Sequence, residues 1–260
     1  MTTALITGAS GGIGAVFAEQ LAARGYDLVL VARSQDKLQA IADQLAAAHG
    51  IQATVIVQDL LANGAADHLF NQLEQQGIEV DLLVNNAGFG AYGEVADGDR
   101  QTYLDMIQLN VSVLVDLTHR ALQGMKQRRS GSILNISSIA AFQPMPYLAV
   151  YAASKSFVLS FSEALWYECQ PYGIKVLGVC PGPTETQFFE TADFPDTLAA
   201  SGQSLDSPEA VVKEALRALD QGHSNVVTGG FSNQLVVNSS RFLPREVLTK
   251  FVGKMFSNEK

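Results

Sequence analysis

Short apolar runs alternate with longer stretches of helical periodicity along the sequence, and this alternation restricts the fold more than any other feature. Runs such as Asp27–Ala32 are continuous in Val and Leu, which is typical of strands covered on both faces of a parallel sheet. Right-handed crossovers then place helices on both faces of that sheet. We therefore predict an α/β fold, a single doubly wound domain whose parallel sheet has about seven strands.

The predicted elements follow one another without a linker, a repeat or a low-complexity segment. The predicted strands cover residues 4–7, 27–32, 52–57, 81–85, 132–136, 175–180 and 225–228. The predicted helices cover residues 12–24, 34–48 with Ser34 as the cap, 64–76, 100–128, 151–170 and 207–221. We expect one domain over residues 1–240.

Residues 241–260 form a C-terminal extension with an amphipathic pattern. Five apolar residues fall on one helical stripe, and basic residues lie elsewhere on the predicted helix. The stripe consists of Val247, Leu248, Phe251, Val252 and Met255. Such a helix can pack on its own domain, on a second subunit or on a membrane surface, and we favour the first two.

Charge and composition exclude several classes of protein. The net charge of −9 argues against nucleic-acid binding, which needs a basic patch. The four histidines are scattered and make no metal-ligand spacing, so no metal site is predicted. Cys169 and Cys180 lie in apolar contexts, and we expect buried thiols in a reducing compartment. A strand begins almost at Met1 and no apolar run reaches membrane-spanning length, so we expect a cytoplasmic protein without a signal peptide.

A glycine-rich turn lies between the first predicted strand and the first helix. Gly8, Gly12 and Gly14 stand in this turn, where glycine lets the backbone turn tightly and approach a pyrophosphate. The N–H groups at the start of the helix then face the phosphate charge. An ordinary glycine-rich connection is the alternative, and its position between strand and helix favours the nucleotide site.

Tyr151 and Lys155 are four residues apart, so they share one face of a predicted helix. Alone, such a pair also fits a surface Tyr and a solvated Lys. The pair gains weight because Ser137 and Ser138 end the preceding strand and because an Asn-Asn-Ala-Gly run and Asn110 lie upstream. These signals occur in one order along the chain, at separations compatible with a single site.

The ordered set of TGASGGIG, NNAG, Asn110, Ser138, YAASK and the Pro-Gly after the sixth strand resembles the short-chain dehydrogenase/reductase family. The resemblance extends to about Phe189 and implies a Rossmann-like fold. The runs ITGASGGIG, VARSQDKL and NNAGFG are similar to the branch that reduces fatty, steroid or other apolar carbonyls.

The resemblance also implies the cofactor contacts. The pyrophosphate turn is formed by Gly8, Ser10, Gly11, Gly12, Ile13 and Gly14. The adenine is met by Asp59 and the backbone of Leu60, and the ribose by Asn86, Ala87 and Gly88. The nicotinamide carboxamide is approached by Pro181, Gly182, Thr184 and Thr186. Plainer roles remain open for two of these positions, a strand-end turn at Asn86 and a helix cap at Asp59.

The chemistry expected at this site is acid–base work by Tyr151. A tyrosine has a pKa near ~10, and the Lys155 ammonium would lower it. Tyr151 is then the general acid for carbonyl reduction, while Ser138 donates a hydrogen bond to the carbonyl oxygen. Ser137 is the rival for that serine role. The resemblance implies that Lys155 also holds the nicotinamide ribose and that Asn110 positions a water for proton relay.

The end of the second strand indicates the cofactor. An NAD enzyme needs a carboxylate there, but the sequence has Ala32 followed by Arg33 and Ser34. Arg33 can bind the 2′-phosphate of NADP with two nitrogens, and Ser34 can add a hydroxyl or its N–H. We expect NADP(H). The alternative is that Arg33 is a solvated loop charge, and Lys37 is a weaker candidate for the same contact.

Aromatic and apolar residues around the site predict an apolar substrate pocket with a mobile lid. The candidates are Phe89, Phe142, Met145, Tyr147, Phe188, Phe189, Phe194 and Leu198. Half of them fit equally well as core residues. The sequence therefore predicts an NADPH-dependent carbonyl reductase acting on a small apolar carbonyl or alcohol, as a homodimer or homotetramer. An NAD-linked alcohol dehydrogenase and a dinucleotide-sensing protein without turnover are the alternatives.

Overall fold

A computed structural model of the chain describes residues 2–186, 188, 192, 205–239 and 244–257. Seven parallel strands form one sheet, which confirms the predicted fold class. The strands are β1 (Thr3–Thr7), β2 (Asp27–Ala32), β3 (Ala53–Val57), β4 (Leu82–Asn85), β5 (Gly131–Ile136), β6 (Ile174–Cys180) and β7 (Asn225–Val227). Their bounds agree with the predicted strands to within one residue at every end.

The strand order across the sheet is β3-β2-β1-β4-β5-β6-β7. The chain winds outward from β1 in one direction and then returns to the other side of β1 through β4. In open α/β sheets, ligands bind outside the carboxyl ends of the strands at such a reversal. The glycine-rich turn after β1 and the Asn-Asn-Ala-Gly run after β4 meet at this point.

Helices cover both faces of the sheet. In the described residues they are α1 (Gly12–Ala22), α2 (Gln35–His49), α3 (Ala65–Gln75), α4 (Arg100–Ile107), α5 (Leu114–Arg128), α6 (Ala149–Cys169), α7 (Pro208–Asp220), α8 (Gly230–Ser239) and α9 (Arg245–Phe256). One core cluster joins the sheet to α1, α2 and α7, and another joins it to α3, α5 and α6. Leu5 and Ile6 of β1 belong to opposite clusters, because successive strand residues point to opposite faces.

The predicted continuous helix over residues 100–128 is interrupted. The segment Gln108–Val113 is a π-helical turn between α4 and α5. Such turns insert a residue into a helix and occur frequently at functional sites. Asn110 lies in this segment and is buried. The apolar periodicity on either side is helical, so the pattern did not reveal the insertion.

The sequence did not predict α8. Its buried residues are only Asn233 and Val237, so the segment lacks the wide apolar stripe by which a surface helix is recognised. Gly229 and Gly230 both have positive φ angles and turn the chain from β7 into the helix.

The C-terminal helix α9 has the predicted amphipathic pattern, but its stripe is divided. Leu248 and Val252 are buried, whereas Val247, Phe251 and Met255 are exposed. The helix packs on its own chain, and the Tyr92 hydroxyl donates a hydrogen bond to the carbonyl of Phe256. The boundary proposed at residue 240 lies outside the described residues and stays a prediction. No described helix is long and apolar enough to cross a membrane.

Candidate active site

Tyr151 and Lys155 lie in the first two turns of α6, on the face that packs against the sheet. Both side chains are buried. The Lys155 ammonium donates a hydrogen bond of 2.8 Å to the carbonyl of Ile136 at the end of β5, and its nitrogen lies 5.8 Å from the centre of the Tyr151 ring. A surface Tyr and a solvated Lys, the alternative considered for this pair, are excluded by this burial.

Burial dominates the acid–base properties of both groups. It raises the pKa of Tyr151 to about 12, and the hydrogen bond from Ser138 opposes this rise. Burial also lowers the pKa of Lys155 to about 8. The expectation of a lowered Tyr151 pKa is therefore wrong for the protein alone, because desolvation by burial is the largest influence on the phenol.

The two candidate serines have different partners. The Ser137 hydroxyl is buried and donates a hydrogen bond of 2.7 Å to the carbonyl of Lys155, so it links β5 to α6. Ser138 accepts a hydrogen bond from the N–H of Ala140 and contacts the Tyr151 phenol. This geometry favours Ser138 as the hydroxyl that acts beside Tyr151.

Asn110 joins three parts of the site. Its amide nitrogen donates to the carbonyl of Phe89 at 2.9 Å and lies 3.1 Å from the Ser154 hydroxyl, while its amide oxygen accepts from the N–H of Phe89. A β-carbon at Gly88 would lie 2.8 Å from that oxygen and 3.5 Å from the Lys155 ammonium. The π-helical turn thus brings Asn110 against both the Asn-Asn-Ala-Gly run and α6.

The glycine-rich turn is braced by the end of β4. The Asn86 side chain donates to the carbonyls of Thr7 and Gly8 at 2.9 and 3.2 Å, and the Thr7 hydroxyl accepts from the N–H groups of Asn86 and Ala87. A β-carbon at Gly14 would lie 2.3 Å from the Gly8 carbonyl oxygen, so only glycine fits there.

The outer part of this turn leaves room for a ligand. A β-carbon at Gly11 would contact nothing within 4 Å, and one at Gly12 would meet the Thr186 side chain at 3.1 Å. Thr186 follows β6, so the predicted nicotinamide segment and the predicted pyrophosphate turn adjoin each other. A glycine cradle at the start of α1, open to one side, fits a dinucleotide pyrophosphate.

The adenine end of the predicted site lies where β2 and β3 finish. The N–H of Gln58 binds the carbonyl of Ala32, which aligns these two strand ends. Arg33 is exposed and has no ion pair within the described residues. The Asp59 carboxylate accepts from the N–H of Leu61, so it shapes a turn after β3.

Two expectations at this end need correction or refinement. Ser34 occupies the cap position of α2, but its side chain makes no capping hydrogen bond, so the predicted cap is positional only. The Leu60 side chain belongs to the core, which leaves its backbone for ligand contact as the resemblance implied. The cofactor contacts expected of Ser10, Ile13 and Thr184 stay predictions.

Some of the residues predicted to line the substrate pocket do lie beside Tyr151. Phe188 packs against Tyr151 with ring centres 5.1 Å apart, and Phe89 and Met145 belong to the same cluster. Tyr147 stacks on Tyr92 with ring centres 5.9 Å apart, although its φ angle of 66° lies in the left-handed region. Strain of this kind is often retained near functional sites.

The prediction that Phe142 lines this pocket is wrong. It packs in a separate cluster with Leu159 and Val237, because the short 3₁₀ turn Ile139–Phe142 directs it toward α8. Three other candidates, Phe189, Phe194 and Leu198, lie outside the described residues.

Several residues that contact the site were missed. Thr7 and Ser154 supply hydroxyl partners to Asn86 and Asn110. Cys180 is buried close enough to Tyr151 and Lys155 to influence the pKa of both, and burial raises its own pKa to about 12. A hydroxyl at the end of a strand was the only available signal for Thr7, and nothing in the pattern singled out Ser154.

Comparison with known proteins agrees with the geometry. A family model for short chain dehydrogenases matches residues 2–194. The chain is 34% identical over 258 residues to 17-beta-hydroxysteroid dehydrogenase type 3 of Mus musculus, covering 97% of this chain and 80% of that protein. It is 32% identical over 256 residues to the very-long-chain 3-oxoacyl-CoA reductase of Mus musculus, covering 96% and 78%.

Two further comparisons bear on activity and cofactor. The inactive hydroxysteroid dehydrogenase-like protein 1 of Homo sapiens is 31% identical over 243 residues, covering 93% of this chain and 72% of that protein. A short-chain dehydrogenase from Sphingobium yanoikuyae, solved in complex with NADPH, superimposes with a TM-score of 0.82 at 29% identity, covering 100% and 97% of the two chains.

The parallel sheet, the glycine cradle at its reversal point and the buried Tyr-Lys pair define an α/β oxidoreductase of the dinucleotide-binding class. The family-model match over residues 2–194 and the sequence identities to the relatives above identify the family within that class. The chain belongs to the short-chain dehydrogenase family. Within the described residues, no group of side chains has the arrangement of a metal site.

Proposed function

We propose that this protein reduces an apolar ketone, aldehyde or 3-oxoacyl compound to an alcohol with NADPH. The observation that carries the proposal is the buried Tyr151 phenol, which contacts Ser138 and packs on Phe188, with the Lys155 ammonium one helical turn away. A dinucleotide-binding protein without turnover would not require this arrangement.

The chain's own groups account for the proton half of the reaction. When bound, the nicotinamide supplies the hydride that adds to the carbonyl carbon. Tyr151, whose pKa is raised to about 12, keeps its proton at neutral pH and transfers it to the carbonyl oxygen. Ser138 donates a hydrogen bond to the same oxygen as negative charge develops there.

Lys155 and Asn110 assist this proton transfer without donating the proton themselves. The Lys155 charge would stabilise the phenolate that remains when Tyr151 has lost its proton. From its place near Gly88, the ammonium would also hold the nicotinamide ribose. Asn110 holds the Phe89 backbone with both atoms of its amide. We propose that the water relay which returns the proton begins at the turn that contains Asn110.

The preference for NADPH rests on Arg33. No carboxylate stands at the end of β2 to bind the ribose hydroxyls of NAD, and an exposed guanidinium follows directly. The solved relative in complex with NADPH supports this choice. An NAD-linked alcohol dehydrogenase is the second candidate.

The substrate class and the assembly are further parts of the proposal. The cluster around Tyr151 is apolar and aromatic, and the named relatives include a steroid dehydrogenase and a 3-oxoacyl-CoA reductase. Exposed apolar residues on α4 and α6 offer a face for a homodimer or homotetramer, namely Leu104, Ile107, Phe157 and Tyr167. A cytoplasmic location remains part of the proposal.

The test is a substrate panel with purified protein. Ketosteroids, 3-oxoacyl thioesters, aryl ketones and aldehydes are incubated with NADPH or with NADH, and cofactor oxidation is followed by absorbance. We expect turnover of at least one apolar carbonyl with NADPH, and its loss in Tyr151→Phe. Binding of NADPH without turnover of any compound would favour the sensing protein; one human relative is itself named inactive.

A further inference from the structure

The C-terminal helix α9 carries an apolar face that no described part of the chain covers. We call Val247, Phe251 and Met255 the α9 stripe; their exposed fractions are 53%, 62% and 47%. They follow one another at four-residue spacing, so they form a line along the helix. Leu248 and Val252 are buried on the adjacent side and fix the rotation of α9 on the body of the protein.

The charges of α9 differ in sign from those of the chain as a whole. Arg245, Lys250 and Lys254 are exposed and make no ion pair within the described ranges, and Glu246 is the one acidic residue of the helix. The chain as a whole carries a net charge of −9. Lys250 and Lys254 border the α9 stripe on the side away from the body, where lysine side chains can reach past an apolar face.

The α9 stripe lies beside the proposed active site. The Tyr92 hydroxyl binds the Phe256 carbonyl at the end of α9, and Tyr92 stacks on Tyr147. Gly253 packs close to Pro146, since a β-carbon there would lie 3.3 Å from that ring. Residues 146 and 147 belong to the short segment that leads into α6 and Tyr151.

We propose that α9 docks on an anionic lipid surface. Its apolar line, bordered by lysines, fits the interface of a bilayer, where the apolar side chains enter the acyl boundary and the ammonium groups meet the headgroups. A second copy of this chain fits less well. The commonest dimer symmetry would place α9 against its own equivalent and oppose like charges.

Docking through α9 brings the aromatic cluster around Tyr151 next to the lipid. If the proposed function holds, this orientation gives the site direct access to apolar carbonyl compounds dissolved in the bilayer. The docking itself does not require turnover, so the two proposals fail or succeed separately.

The first experiment is sedimentation of the full chain with vesicles of phosphatidylcholine, with and without phosphatidylserine. We expect binding to the anionic vesicles, weak binding to the neutral ones, and release at high salt, because exposed charges are then screened. Lys250→Gln and Lys254→Gln should each weaken binding about fivefold, since a basic residue near such a surface contributes about 1 kcal/mol.

A matched pair of variants separates the α9 stripe from general surface hydrophobicity. Phe251→Ser removes the centre of the stripe, whereas Phe231→Ser removes an even more exposed aromatic from α8, which carries no Lys or Arg. We expect the first variant to lose vesicle binding and the second to retain it, with equal thermal stability in both.

Three outcomes would overturn the proposal. The wild type stays in the supernatant with anionic vesicles, or Phe251→Ser binds as tightly as the wild type. The third is a dimer, measured by light scattering, that Phe251→Ser dissociates in the absence of any vesicle binding, since α9 would then be a contact between two copies of the chain.

Discussion

The Lys155 ammonium lies 5.8 Å from the centre of the Tyr151 ring, one turn further along α6. The ammonium donates a hydrogen bond to the backbone carbonyl of Ile136 at the end of β5. We expect Lys155 to act on Tyr151 through its charge, so the strength of that action should depend on whether Lys155 is protonated.

Tyr151→Phe should remove most of the turnover and leave NADPH affinity nearly unchanged, because the variant loses only the transferable proton. The loss of a general acid typically lowers the rate by about 10²–10⁴-fold. Lys155→Ala should weaken both turnover and NADPH affinity. Steady-state kinetics and cofactor titration by fluorescence distinguish the two variants, and equal NADPH affinity in both would contradict the ribose contact of Lys155.

The pH dependence should follow the Lys155 pKa of about 8. The free enzyme loses the Lys155 charge above that pH, so kcat/KM for NADPH should fall there, while Tyr151, with its pKa near 12, stays protonated. The measurement is kcat/KM from pH 6 to about 10. A profile without a decline over this range would show that Lys155 keeps its proton.

The same shift predicts a change of stability with pH. Folding lowers the Lys155 pKa from 10.5 to about 8, so between these values the unfolded chain binds more protons than the folded one. The contribution of Lys155 to the free energy of unfolding therefore rises with pH across this window. Urea titrations should show that the difference in free energy of unfolding between the wild type and Lys155→Met grows with pH across this window. The buried Cys180 thiol, whose pKa is raised to about 12, contributes an opposite slope that is common to both proteins.

Arg33→Ala should raise KM for NADPH about ten- to a hundredfold, because a hydrogen bond to a charged group contributes about 1.5–3 kcal/mol. KM for NADH should change little. Ala32→Asp should shift the preference toward NADH, since the new carboxylate repels the 2′-phosphate. A wild-type enzyme that uses NADH as well as NADPH would contradict the assignment of Arg33 and promote the NAD-linked candidate.

Asn233 of α8 should prove to be a positioning residue for the turn after β6. Its amide nitrogen donates to the Asp206 carboxylate at 3.2 Å and to the Thr228 carbonyl at 2.8 Å, and a β-carbon at Gly182 would lie 2.2 Å from it. Asn233→Ala should lower the free energy of unfolding by about 1–3 kcal/mol and raise KM for NADPH. Ser232→Ala, an exposed change in the same helix, is the control, and an unaltered KM in Asn233→Ala would refute the positioning role.

Leu248→Ala should destabilise the protein by about 2–5 kcal/mol, because it leaves a cavity between α9 and the body. Val247→Ala, at the neighbouring exposed position, should change the stability little. Thermal or urea denaturation measures both. Equal stabilities would mean that α9 is not held on its own chain in solution.

Local patterns in the sequence determined most of the architecture. Continuous apolar strands such as Asp27–Ala32 predict a sheet buried on both faces. A glycine-rich turn between a strand and a helix predicts an anion-binding site. Four-residue spacing alone places Tyr151 and Lys155 on one face of a helix. These relationships join residues close in the chain, where backbone geometry sets the distances.

Only the tertiary structure decided which of several similar residues face the candidate site and which face the core or solvent. Ser137 and Ser138 are adjacent in sequence, yet one turns toward α6 and the other toward the Tyr151 phenol. The α9 stripe and the buried Leu248 share one amphipathic pattern, and packing against the body separates them. The Tyr151 pKa likewise rises, because burial is the sum of contacts from distant segments that no local pattern contains.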